Sequence, residues 1–166
     1  MSAYSAVNQG HCHERIQKAL VEQCSRLTLC SRAFYNDKLG LLEKKLSETF
    51  GYAMALCMNS GAEGVETAIK LARKWGYLSK GIKENEAVIF GFTNNFHGRT
   101  IAAISLSTSE DSFAGFGPLV PGLGAVCTQT GSRIEFGSLQ DIELVFEAHS
   151  QNLAGVIVEP IQGEAG

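Results

Sequence analysis

A chain of 166 residues, 45% hydrophobic and 19% charged, has the balance of a globular domain and is long enough to bury a core. A net charge of −3 with no Lys/Arg run argues against a nucleic-acid surface or an anionic-membrane patch, and no apolar run approaches the ~18 residues of a membrane span. The partners left to expect are small molecules and other protein chains. Cys12, Cys24, Cys30, Cys57 and Cys127 are odd in number and include no C-x-x-C pair, which fits reduced thiols in a cytosolic or matrix compartment. The start of the chain has neither a signal-peptide nor an Arg-rich transit pattern. We therefore expect a cytoplasmic protein, or a mitochondrial-matrix one if a presequence precedes Met1.

His11-Cys12-His13 reads either as part of a metal site, lacking a nearby second cluster to complete a tetrahedral set, or as a turn before a helix. From Glu14, the apolar residues Ile16, Ala19, Leu20, Cys24 and Leu27 recur at helical spacing and predict one buried face. Tyr35-Asn36-Asp37 is a capping signal before Leu39, Leu42, Leu46 and Phe50, a second amphipathic helix that Gly51 would stop. Residues 1–50 thus read as a helical segment. Ala53 to Met58 is short and apolar, a candidate buried strand.

Asn59-Ser60-Gly61-Ala62-Glu63-Gly64 then sets small residues directly before a helix pattern. Unpaired backbone N–H groups and the aligned peptide dipoles make a helix start a natural anion site, and small side chains allow close approach. Asn, Ser and Gly also cap helices without binding anything, so both readings stand. No G-x-x-x-x-G-K-[ST] occurs and no G-x-G-x-x-G opens a helix, so a phosphate here would not belong to a nucleotide held in the P-loop manner. The helix should bury Ala68, Ile69, Ala72 and Trp75 and pair Glu66 with Lys70 on its other side.

Ala87 to Phe92 and Ala154 to Val158 are apolar runs of strand length. Between them we expect a helix over Thr100 to Leu106, a Gly/Pro-rich loop over Gly115 to Gly124, and a helix from about Ser138 to Ala148 opened by Ser138 and Asp141 in capping-box register. Apolar rather than alternating strands, separated by helices, predict an α/β fold with a parallel sheet covered on both faces. Ligands of such sheets bind beyond the carboxyl ends of the strands, where the loops Asn59 to Gly64, Asn94 to Arg99 and Glu159 to Glu164 should converge.

Within these loops Arg99 offers a planar fork for a carboxylate, and an aromatic ring beside it could cover a flat cofactor. His97 reads as an acid or base, or simply as polar surface. Glu159 and Glu164 read as carboxylates tuning a nearby cation, or as solvated loop charges.

Tyr4 to His13, Ser31 to Asn36, Asn59 to Trp75, Phe96 to Thr100, Gly115 to Pro118 and Val158 to Gly166 together resemble the class III pyridoxal-phosphate-dependent aminotransferases. The resemblance spans nearly the whole chain and is weakest from about Leu123 to Gln151. Phe96-His97-Gly98-Arg99-Thr100 is common to the class, whereas Tyr4 to His13 and Ser31 to Asn36 are more particular to its ornithine-using members.

The resemblance implies that residues 51–166 are part of the large domain of a fold type I transferase. It implies pyridoxal 5'-phosphate (PLP) as cofactor, with Ser60, Gly61 and Ala62 at the phosphate, Phe96 on the pyridine ring and Glu159 near the partner of the ring nitrogen. Tyr4 would line the substrate pocket, Arg99 would hold the distal carboxylate of 2-oxoglutarate, and Glu164 would pair with a switching arginine while ornithine is bound. The implied reaction moves the δ-amino group of L-ornithine to 2-oxoglutarate, giving glutamate 5-semialdehyde and glutamate, in a homodimer with sites at the subunit interface. The family's Schiff-base lysine, pyridinium aspartate and switching arginine match no residue of this sequence. It therefore reads as a fragment truncated at both ends with no catalytic residue of its own, or else as a short non-catalytic chain that binds a full-length subunit. Glu14 in place of a proline and His97 in place of a tryptophan are local departures.

Overall fold

The computed structural model describes residue 3 and residues 6–165, in two compact units, Met1–Leu56 and Cys57–Gly166. In the first unit, helix α1 spans Glu14–Cys24 and helix α2 spans Leu39–Phe50. His13 stands in the N-cap position of α1 without a side-chain cap bond, the turn-before-helix alternative, and the acidic Glu14 in the first turn suits the helix dipole. The Asn36 side-chain oxygen accepts the Lys38 and Leu39 N–H groups at 3.0 and 2.9 Å and so caps α2, while Gly51 closes it in the left-handed region with its N–H on the Ser47 carbonyl. The expected buried face of α1 is not buried: Ile16 and Leu20 are more than half exposed, because amphipathic spacing marks a face without supplying what covers it.

Ala53 to Met58 is irregular chain, not a strand, and Met54 is 86% exposed. A short apolar run becomes a strand only when a neighbour completes its hydrogen-bond ladder, and none of the described strands pairs with it.

The second unit carries helix α3 (Gly61–Trp75) with a π-helical turn over Gly76–Lys80, strand β1 (Val88–Phe90) and short helices α4 (Ile101–Ser105) and α5 (Glu110–Phe113). Strand β2 (Leu123–Gly124), helix α6 (Leu139–Ala148) and strand β3 (Leu153–Val156) follow. The sheet is parallel in the order β2-β1-β3, with Ile89 opposite Leu123 and Gly155, and Phe90 opposite Gly124 and Val156. Successive side chains of β1 enter opposite faces. Ile89 joins Ile69, Ile82, Ala87, Ala102, Leu106 and Ala154, whereas Phe90 joins Phe92, Cys127, Ile134, Val145 and Leu153. The α/β fold with a parallel sheet flanked by helices is therefore as expected.

α3 buries Ile69, with Val65 and Ala72 packed beside it, and its last turn reaches Gly76, where a Cβ would lie 3.0 Å from Ile82 and 3.2 Å from Ala154. Ala68 and Trp75 face outward, and Glu66 and Lys70 form no ion pair. Of the four residues expected on the buried side, Ile69 and Ala72 are there, and Gly76, too small to register in an apolar pattern, continues the contact with β3 that Ala72 makes at Gly155. Ser138 accepts the Asp141 N–H as predicted, while the Asp141 carboxylate reaches the Glu135 N–H at 2.9 Å rather than closing a reciprocal box. Among the described residues no helix is long and apolar enough to cross a membrane, and no group of three His, Cys, Asp or Glu side chains is placed to hold a metal ion.

Candidate functional site

β1 and β3 are parallel, so the segments after Phe90 and after Val156 leave the sheet at the same end. The backbone pairing continues one step beyond the strands, from the Ile157 N–H to the Phe90 carbonyl at 2.8 Å. The loop after β1 is then tied on three sides. The Thr93 N–H donates to the Ile134 carbonyl and the Thr93 hydroxyl to the Glu135 carboxylate at 2.6 Å, while the buried Gln162 donates its side-chain N–H to the Thr93 carbonyl at 2.8 Å. Asn95 donates to the carbonyls of Phe92 and Leu106, both at 2.6 Å, and the Phe96 N–H donates to the Glu159 carboxylate at 3.1 Å. Glu159 is thus bound to the neighbouring loop rather than being a free solvated charge.

The loop Asn59 to Gly64 follows no strand and reaches this rim by packing. Gly98 has φ +121°, and a Cβ there would sit 3.3 Å from the Ala62 Cβ and 3.6 Å from the Ala103 Cβ. Glycine at this position lets the loop lie directly on the first turn of α3. At that turn the Ser60 hydroxyl oxygen accepts the Glu63 N–H, and the Glu63 carboxylate accepts the Asn59 N–H at 2.7 Å. Capping is therefore real, yet it leaves the Gly61 and Ala62 N–H groups without a hydrogen-bond partner among the described residues. The Ser60 hydroxyl proton also stays free to donate, so an anion has three donors at a helix N-terminus.

An open cavity of about 890 Å³ brings Phe96, Arg99 and Glu164 together with Asn94, Asp111 and Phe116. The Arg99 guanidinium lies 5.3 Å from the centre of the Phe96 ring and forms no ion pair among the described residues, so its charge is available to a ligand. Ser60, Gly61, Ala62 and Glu159 do not line this cavity. They adjoin it, Ala62 through Gly98 and Glu159 through Phe96. Tyr4 lies outside the described residues.

His97 is buried, 9% exposed, and its Nε2 has no hydrogen-bond partner among the described residues, so it is not polar surface. Burial holds its pKa below the usual 6.5, and the Glu159 carboxylate offsets part of that shift. A folded state that disfavours the imidazolium binds its proton later than the unfolded chain does, so this contribution to stability is present above pH 6.5 and is lost as the pH falls through the lowered value. We expect urea unfolding to show a free energy that drops from pH 7.5 to pH 5, with His97→Gln making that drop shallower. An equal drop in the variant would mean that other groups cause it.

The sequence singled out neither Gln162, Asp111 nor the burial of His97. Gln162 had no available signal, because its burial comes from a side-chain bond to the Thr93 carbonyl, 69 positions away in the chain.

The chain belongs to the class III aminotransferase family, whose sequence pattern matches residues 1–166. Among curated relatives it is 55% identical over 166 residues to ornithine aminotransferase of Emericella nidulans, covering all of this chain and 37% of the relative. It is 54% identical to the mitochondrial ornithine aminotransferase of Oryza sativa subsp. japonica, covering all of this chain and 33% of that protein. The chain spans about a third of the length of these relatives. In structure it superposes on ornithine aminotransferase of Toxoplasma gondii with a TM-score of 0.88 at 42% identity, over 99% of this chain and 37% of that one, a protein described with PLP partly occupying its active site.

Proposed function

We propose that residues 1–166 are the cofactor- and substrate-binding segment of an ornithine δ-aminotransferase, with residues 51–166 forming part of the PLP-binding large domain. One observation carries this reading: an unpaired arginine, an aromatic ring and a glutamate share one cavity, beside a helix start with unused N–H donors. The identity to ornithine aminotransferases over the whole chain supports the choice of substrate.

The donor set fits PLP. Gly61 and Ala62 would donate their N–H groups, and Ser60 its hydroxyl, to the cofactor phosphate, while the Glu63 carboxylate is engaged by Asn59. Phe96 would flank the ring, and Glu159, bonded to the Phe96 N–H, would fix that residue's backbone and stand near the partner of the ring nitrogen. When bound, PLP supplies the electron sink that makes a proton on the amine-bearing carbon removable.

Arg99 would hold the substrate carboxylate farthest from the reacting carbon, which is the distal carboxylate of 2-oxoglutarate and, in ornithine entering by its δ-amine, the α-carboxylate. Glu164 would pair with an arginine from elsewhere in the enzyme while ornithine is bound. Tyr4 would line the same pocket. The site would be completed in a homodimer, located in the cytoplasm or, as the Oryza relative is named, in mitochondria.

The test is turnover by the holoenzyme that carries this segment. Ornithine and 2-oxoglutarate should be consumed in equal amounts, with glutamate and glutamate 5-semialdehyde formed. Transfer of the α-amino group instead, leaving a 2-oxo acid, would overturn the assignment.

A further inference from the structure

Phe96 and Arg99 stand three positions apart on a stretch of chain whose backbone is anchored around both of them. The Phe96 N–H is held by Glu159, His97 is buried, Gly98 lies against Ala62 and Ala103, and the Thr100 hydroxyl caps α4 by accepting the Ala103 N–H at 3.2 Å. All of these anchors lie within residues 62–159. From this frame the Arg99 guanidinium lies over the Phe96 ring, its central carbon 5.3 Å from the ring centre, inside the ~6 Å over which the negative face of an aromatic ring attracts a cation. A long side chain with no such support loses its freedom each time it binds a carboxylate. Held on the ring, Arg99 has given up part of that freedom beforehand.

We propose that Phe96 is a positioning residue for Arg99: its ring holds the guanidinium ready for the distal carboxylate of the acceptor and so favours 2-oxoglutarate over acceptors that lack that group. The inference rests on the functional reading above and deepens it. A ring attracts the cation through its electron-rich face without neutralising it as a carboxylate partner would, so the charge and the planar fork stay available to the ligand. Phe96 and Arg99 line one cavity, and the contact between them therefore sits where the acceptor would enter. This role is distinct from flanking the cofactor, because it acts on the end of the substrate farthest from the reacting carbon.

Pyruvate and 2-oxoglutarate react at the same kind of carbonyl and differ in the distal carboxylate, so any loss of the ring against the cofactor falls on both and cancels in their ratio. In the holoenzyme that carries this segment, at saturating PLP, Phe96→Leu should lower the 2-oxoglutarate to pyruvate ratio of kcat/KM about threefold, the scale of an exposed contact between a cation and a ring. Phe96→Tyr keeps the ring and should hold the ratio. In an Arg99→Ala background, Phe96→Leu should leave the ratio unmoved, since the group it positions is gone. Titration calorimetry of the holoenzyme with glutarate, a dicarboxylate that does not react, should show the same weakening in Phe96→Leu and none in Phe96→Tyr. An unmoved ratio in Phe96→Leu, or an equal fall with and without Arg99, would overturn the role of Phe96 while leaving the ornithine reading intact. An unsubstituted holoenzyme that uses pyruvate as well as 2-oxoglutarate would overturn both.

Discussion

Arg99→Ala in the holoenzyme is expected to lower kcat/KM for 2-oxoglutarate by about a hundredfold, corresponding to about 2–3 kcal/mol for a charge-assisted, two-pronged hydrogen bond. The side chain starts from an uncommitted state: it lies over the Phe96 ring and forms no ion pair among the described residues, so binding a carboxylate breaks no charge contact described there. Arg99→Lys keeps the charge and loses the fork, and should recover no more than about tenfold of the loss. Steady-state kinetics with 2-oxoglutarate and pyruvate as acceptors tests the role directly, because pyruvate lacks the distal carboxylate. A loss of the same size with both acceptors would mean that Arg99 shapes the loop rather than holding that group.

Gly122→Ala is the substitution with the largest expected effect on stability. Gly122 has φ +76°, and a Cβ there would lie 2.5 Å from the Ala87 carbonyl oxygen, a backbone atom with no freedom to swing aside. Its own carbonyl accepts the Ile89 N–H at 2.8 Å, so relief of the clash separates β2 from the central strand. The backbone conformation alone costs a residue with a Cβ about 1–2 kcal/mol. Adding the clash and the weakened pairing brings the loss to about 3–4 kcal/mol. Gly137→Ala separates the two contributions, since it shares a positive φ of +83° with nothing within 4 Å, and should lose only the backbone part. Chemical-denaturation midpoints at equal m-values measure both. Equal losses at the two positions would show that the strand pairing tolerates the displacement.

Local hydrogen bonding and periodicity were enough to place most of the elements. α2 starts and stops where Asn36 and Gly51 direct, α6 starts after Ser138, and α4 lies inside the span read from Thr100 to Leu106, because caps and turns are made by residues a few positions apart. The apolar runs around Val88–Phe90 and Leu153–Val156 were legible as strands from their composition and length, although β3 is buried only at Leu153 and Ala154 and leaves Val156 exposed. The family and the loops of interest followed from motifs, which are contiguous.

What needed the tertiary structure depends on atoms brought together from far along the chain. Ala53 to Met58 has the composition of a strand, and none of the described strands lies beside it to make it one. The side of α3 that is covered runs through Ile69 and Ala72 to Gly76, because Ala72 lies against Gly155 and Gly76 against Ala154. His97 and Gln162 look polar in sequence and are buried, the first against Gly91 and the second through a bond to Thr93. Asp111 of α5 lines the same cavity as Arg99 and Glu164, a proximity that its local sequence does not signal. By itself the sequence determined which segments form helices, caps and apolar strands, since those are short-range bonds. The tertiary structure alone decided which charges share a cavity, because that proximity is set by long-range packing that no local pattern encodes.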